Sequence, residues 1–144
     1  MCSLKSLIMT KITVETTIQA PVEKVWKYWT QPEHIINWSF ASDDWHTPAA
    51  ENDLREGGKF SSTMAAKDGS MSFDFWGVYT KIEEYKVIEY TMGDGRTASL
   101  IFSSEGDTTK IVETFEAETE NSVEMQKFGW QAILDNFKKY TEGN

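Results

Sequence analysis

Between residues 47 and 118 the chain repeats one device: a run of alternating apolar and polar residues, a tight turn, then another such run. The turns are marked by Lys67-Asp68-Gly69, Gly93-Asp94-Gly95 and Glu105-Gly106-Asp107, whose glycines and aspartates suit hairpin connections. Strands are predicted at 59–66, 71–83, 86–92, 97–104 and 108–118, with another at 47–53 before Gly57-Gly58. These connections are too short for the crossover helices of a parallel sheet, so the strands must form an antiparallel meander.

Two further patterns frame the meander. Ile12, Val14, Thr16 and Ile18 alternate with Thr13, Glu15 and Thr17, the period of a half-buried strand. Pro21 then opens a helix to about Trp29, with Val22, Val25, Trp26 and Trp29 on one face, and Pro32 opens a shorter one to about Trp38. At the other end, a helix from Asn121 or Ser122 to about Tyr140 carries Met125, Gly129, Ile133, Phe137 and Tyr140 on one stripe, flanked by Phe128, Trp130 and Ala132. Lys127, Gln131 and Lys138 fall opposite. So broad a stripe needs a curved sheet to cover it. The expected organisation is one α+β domain over 11–144, preceded by a loose extension over 1–10 in which Met9 offers a second start.

Composition limits the function classes. With 14 Lys and Arg against 23 Asp and Glu the formal charge is −9, which opposes nucleic acid and anionic membrane surfaces. The single thiol, Cys2, cannot form an internal bridge, so a reducing cytoplasm is the expected compartment. No run approaches the roughly 20 apolar residues of a membrane span. His34 and His46 stand apart without a Cys partner, so neither metal nor cofactor is expected, and His34 is placed at the surface.

The order of elements resembles the helix-grip arrangement of the START-like (SRPBCC) superfamily: a curved antiparallel sheet of about six or seven strands around a long C-terminal helix, with two short helices after the first strand. Ile12-Thr-Val-Glu-Thr-Thr-Ile-Gln-Ala-Pro-Val-Glu-Lys-Val-Trp26, Trp29-Thr-Gln-Pro-Glu-His34 and Glu51-Asn-Asp-Leu-Arg-Glu-Gly-Gly-Lys-Phe60 follow its opening segments and first turn. Phe73-Asp-Phe-Trp-Gly-Val-Tyr79 and Gly129-Trp-Gln-Ala-Ile-Leu-Asp-Asn-Phe137 are similar to the branch named after the activator of the heat-shock protein 90 ATPase. The likeness implies a cavity between sheet and helix in which relatives hold lipids, polyketides or other hydrophobic molecules.

Aromatic residues make up 13% of the chain, including six Trp, which is generous for a core alone. Trp26, Trp29, Trp38, Trp45, Phe73, Phe75, Tyr90, Met92, Phe102, Met125 and Phe128 lie on segments expected to face inward, and together they are the candidate lining of a ligand pocket. On the strand at 71–83 both faces are apolar; Phe73 and Phe75 are assigned inward, against Trp76 and Val78. Gly129 is expected to remove a side chain where sheet or ligand comes close, since glycine within a helix costs about 1 kcal/mol relative to Ala.

Ile111, Glu113 and Phe115 share one side of the last strand, which is the more apolar and so the expected inner face. A carboxyl there would be desolvated and able to act as an acid or base. The plainer reading has Glu113 solvated at the strand end or paired with a basic residue. Asp43-Asp44-Trp45-His46 is assigned to a cavity mouth, with His46 as the partner of Glu113, against the alternative of a polar loop satisfying exposed backbone. Arg96 is within reach of an anionic ligand group but is placed in an exposed turn.

Three functions follow in order. The first is binding of a hydrophobic or aromatic small molecule, lipid or polyketide-like. The second is a cyclase or hydrolase using Glu113 and His46 as catalytic acid and base. The third is a stress-related co-chaperone with a chaperone ATPase as partner. Neither nucleic-acid binding nor membrane insertion is expected, and the protein is expected as a monomer or weak homodimer.

Overall fold

A computed structural model describes residues 10–144, so the extension expected over 1–10 lies almost wholly outside the described residues. The strands are β1 (Lys11–Ile18), β2 (Trp45–Asn52), β3 (Lys59–Ala66), β4 (Ser72–Glu83), β5 (Val87–Met92), β6 (Thr97–Glu105) and β7 (Thr108–Glu116). The helices are α1 (Val22–Thr30), α2 (Pro32–Ile35) and α3 (Val123–Gly143). All seven strands join one curved antiparallel sheet in the order β1-β7-β6-β5-β4-β3-β2, around the long C-terminal helix: the helix-grip architecture.

The hairpins run as the turn signals require, with Gly69, Gly95 and Gly106 at positive φ. One long-range pairing completes the sheet. β1 lies beside β7 over its whole length, from Lys11 opposite Glu116 to Ile18 opposite Thr109. Alternation along β7 turns Thr109, Ile111, Glu113, Phe115 and the following Ala117 inward. Beside them are Val14 and Ile18 of β1, Ile88 of β5 and Leu100 of β6.

Leu134 and Phe137 of α3 and Val25 of α1 close the β1-β7-β6 half of the sheet, all of them fully buried. Each such side chain contributes roughly 1.5–3 kcal/mol relative to exposure. Ser122 caps α3, its Oγ accepting from the Met125 N–H at 3.1 Å. Two residues expected on the solvent side of this helix instead grip the edge strand: Gln131 Nε2 donates to the Glu15 carbonyl at 3.1 Å and Lys138 Nζ to the Thr17 carbonyl at 2.6 Å. They satisfy acceptors that an edge strand would otherwise leave open.

The β2-β3-β4 half is covered differently. On β3 only Ser62 is buried, and the first residues of β4 are exposed or half-buried. That half of the concave face is where space remains. Among the described residues no helix is long and apolar enough to cross a membrane.

Candidate functional site

A cavity of about 270 Å³ lies between the sheet and the helices. Trp29 and Ile35 come from the α1-α2 arm and Trp38 from the segment after it, Phe60 and Phe75 from β3 and β4, and Trp130 and Ile133 from α3. Ile88, Tyr90, Leu100 and Glu113 form the floor, and Glu51, Ser62, Met64, Phe73 and Tyr79 line the β2-β3-β4 side.

The walls are ordered by ring contacts. Trp29 and Trp38 lie 4.6 Å apart, and the Trp38 indole N–H donates to the Tyr28 carbonyl at 3.0 Å. Phe60 meets Tyr90 edge to face at 4.9 Å and crosses Tyr79 at 5.2 Å. Gly77 makes room for this ring, since a Cβ there would lie 2.8 Å from Phe60 and 2.7 Å from the Thr91 carbonyl oxygen. A glycine inside a strand signals such close approach, and it is the signal by which Phe60 could have been found in the sequence.

The polar floor is unusual. Glu113 sits in mid-strand, opposite Leu100 on one side and Val14 on the other, and is 5% exposed. Its carboxyl has no hydrogen-bond partner among the described residues, and desolvation pushes its pKa up to about 8. Tyr90 is also raised, first by burial and then by proximity to Glu113. Tyr79 is raised by burial despite donating a 2.6 Å hydrogen bond to Asn52 Oδ1. Arg96 reaches the cavity lining rather than standing in an exposed turn: its Nε donates to Asp94 Oδ2 at 2.8 Å and its Nη1 to the Glu116 carbonyl at 2.9 Å.

Of the expected lining residues, Trp29, Trp38, Phe73, Phe75 and Tyr90 border the cavity together with Glu113. Trp26, Met92 and Phe102 are buried but belong to the packed core; Trp26 meets Phe102 edge to face at 5.2 Å. Trp45 is half-buried against Phe73 at 5.9 Å, outside the cavity lining.

The helix face differs from expectation. Met125 is 63% and Phe128 78% exposed, and Gly129 is half-buried with nothing within 4 Å of an added Cβ. The buried residues are Gln126, Leu134, Phe137 and Thr141; of the expected stripe, Phe137 is fully buried and Ile133 borders the cavity, as does the flanking Trp130. Gln126 turns inward because its side chain accepts from the Glu118 N–H and donates to the Glu118 and Asn121 carbonyls, at 2.9, 3.1 and 2.9 Å.

Both histidines also lie elsewhere than expected. His46 is exposed on edge strand β2, opposite Ala65, and does not line the cavity, so it forms no acid/base pair with Glu113. His34 is half-buried rather than at the surface: it stacks on Tyr28 at 3.9 Å, and its Nδ1 hydrogen-bonds the Tyr140 hydroxyl at 2.8 Å. Among the described residues no three His, Cys, Asp or Glu side chains are grouped to hold a metal.

This architecture has known counterparts. Residues 19–142 match the family described as activator of Hsp90 ATPase homolog 1-like protein. The chain belongs to that family. The AHSA1-like protein from Aeromonas hydrophila is 46% identical, with 93% of each chain covered and a TM-score of 0.88. A protein of solved structure from Cytophaga hutchinsonii is 60% identical over 93% of each chain, with a TM-score of 0.80. CalU16 from Micromonospora echinospora, at 23% identity, shares the AHSA1-like fold with a TM-score of 0.69 over 91% of this chain and 75% of its own. No curated protein matches.

Proposed function

We propose that the protein binds a compact hydrophobic or aromatic molecule between the sheet and α3. The supporting observation is the cavity itself: about 270 Å³ ringed by Trp29, Trp38, Phe60, Phe75 and Trp130 over a floor carrying Glu113 and Tyr90. Apolar walls with a few convergent polar groups are the general form of a small-molecule site. The volume lies just below the roughly 300–1,000 Å³ common for such sites, which suits one or two rings better than a long acyl chain or a large polyketide. Native mass spectrometry of protein purified from its own cells should show a retained small molecule. Titration with small aromatic compounds should change the emission of Trp29, Trp38 and Trp130, and a flat response across such a panel would count against the reading.

A second reading makes the same cavity an active site, favoured by one observation: Glu113 keeps its proton near neutral pH and faces the space a ligand would fill. With His46 outside the cavity, Glu113 would act as a lone acid or base. Glu113→Gln separates the two, since a carrier retains at least part of its binding whereas an enzyme loses turnover.

A further inference from the structure

We propose that the preferred occupant is an organic cation: a protonated amine on a compact aromatic or aliphatic body, its ammonium seated on the Glu113 carboxylate. The inference rests on the cavity being a ligand site and names the chemical class it takes.

The floor offers a buried acidic group that nothing in the protein completes. Glu113 is 5% exposed, borders the cavity and has neither a hydrogen bond nor an ion pair among the described residues. A carboxyl in such a place is stable only while it holds its proton or when a cation arrives. The one basic side chain that lines the cavity among the described residues, Arg96, pairs with Asp94 at 2.8 Å and donates to the Glu116 carbonyl at 2.9 Å rather than to Glu113. A cation to pair with the ionised form would therefore come with the ligand.

The surroundings favour the same sign. Tyr90, Phe60, Phe75 and Trp130 line the same cavity as the carboxyl, and aromatic rings attract ammonium groups. Glu51 adds a second acidic side chain to the lining, and the formal charge of −9 draws cations toward the molecule. The other titratable groups lining the cavity are Tyr90 from β5, Tyr79 from β4, the exposed Glu51 from β2 and Arg96 from the β5-β6 hairpin; α1 and α3 contribute only Trp29, Trp130 and Ile133 there. A carboxylate ligand could use the remaining N–H donors of Arg96, but that guanidinium is already charge-paired with Asp94, so indole-3-acetate is the competing probe. A neutral alcohol would gain a single hydrogen bond from the protonated carboxyl.

The proton balance is specific. Below the raised pKa of Glu113, an ammonium ligand pairs with it only if the carboxyl gives up its proton, which passes to buffer; an alcohol requires no such release.

Isothermal titration calorimetry at pH 7 with two matched pairs, phenethylamine with phenethyl alcohol and tryptamine with tryptophol, and with indole-3-acetate as the anionic indole, tests this. Each amine should bind roughly tenfold more tightly than its alcohol, as a charge-assisted contact implies. Titrations in two buffers of different ionisation enthalpy should show about one proton released per amine and none per alcohol. In Glu113→Gln the amine preference should collapse while the alcohols still bind. Alcohols that bind as well as amines, a preference surviving in Glu113→Gln, or indole-3-acetate as the tightest of the indoles would overturn the inference and leave the cavity as a binding site. Absence of binding by all of these compounds to folded protein would overturn both.

Discussion

Phe115 and Trp130 stack face to face, ring centroids 3.8 Å apart at 10°, and so tie the middle of α3 to β7 two residues beyond Glu113. Trp130 also meets Phe75 edge to face at 6.0 Å, so one indole spans the cavity from β7 to β4. Trp130→Ala removes both contacts. Stability should fall by about 2–4 kcal/mol, somewhat less than for a fully buried Trp. Affinity for small aromatic compounds should fall with it, whereas Trp130→Phe should keep most of both. Urea unfolding of the two variants provides the comparison; a loss below about 1 kcal/mol for Trp130→Ala would mean that the stack does not hold the helix.

Burial of Glu113 makes stability depend on pH in a defined direction. In the unfolded chain the group ionises near 4.5, whereas folded it keeps its proton until about 8. Between those values the native state binds more protons than the unfolded one, so this group's contribution declines as pH rises through the window and is level above it. Glu113→Gln, an isostere that cannot ionise, should gain on the natural protein progressively from pH 5 to pH 8, by an amount on the order of a few kcal/mol at pH 7. Chemical denaturation at pH 5, 7 and 9 measures the gap. Parallel pH profiles for the two proteins would show that Glu113 titrates as an ordinary carboxyl.

How far the chain could be read depended on whether the signal was local. The strand limits followed from alternation and turn residues, and β3 and the start of β6 fall where expected. Glu113 could be assigned inward because Ile111 and Phe115 flank it on the same side of β7. The inward face of the first turns of α3 could not be read, although Ile133 and Phe137 face inward as expected, because Gln126 counts as polar on a helical wheel until the loop at 118–121 folds back to satisfy its amide. Nor does alternation say where along a curved sheet space is left. Phe102 and Tyr90 both point inward, yet Phe102 meets Trp26 and Trp29 in the packed core while Tyr90 borders the cavity.

The same part of α3 gives Gly129 a different meaning. It lies inside α3, half-buried, and a Cβ would meet open space. Gly129→Ala should therefore stabilise the protein by up to about 1 kcal/mol through helix propensity alone and leave ligand binding unchanged. A thermal unfolding midpoint that drops instead would place this glycine against something the packing does not show.

Gly77 is the opposite case, since its missing side chain is space that Phe60 uses. An added Cβ would lie 2.7 Å from the Thr91 carbonyl oxygen and 2.8 Å from the Phe60 ring, and while the ring can swing, the backbone oxygen of the neighbouring strand yields only with the β4-β5 pairing. Gly77→Ala should destabilise by about 1–3 kcal/mol, the usual range for overpacking. Phe60 lines the cavity, so displacing it should also weaken binding of small aromatics. The double variant Gly77→Ala with Phe60→Leu separates the two obstacles. If the ring carries most of the strain, Gly77→Ala should cost distinctly less in the Phe60→Leu background than in the natural one. An equal cost in both backgrounds would assign the whole effect to the Thr91 carbonyl and remove Gly77 from the architecture of the cavity.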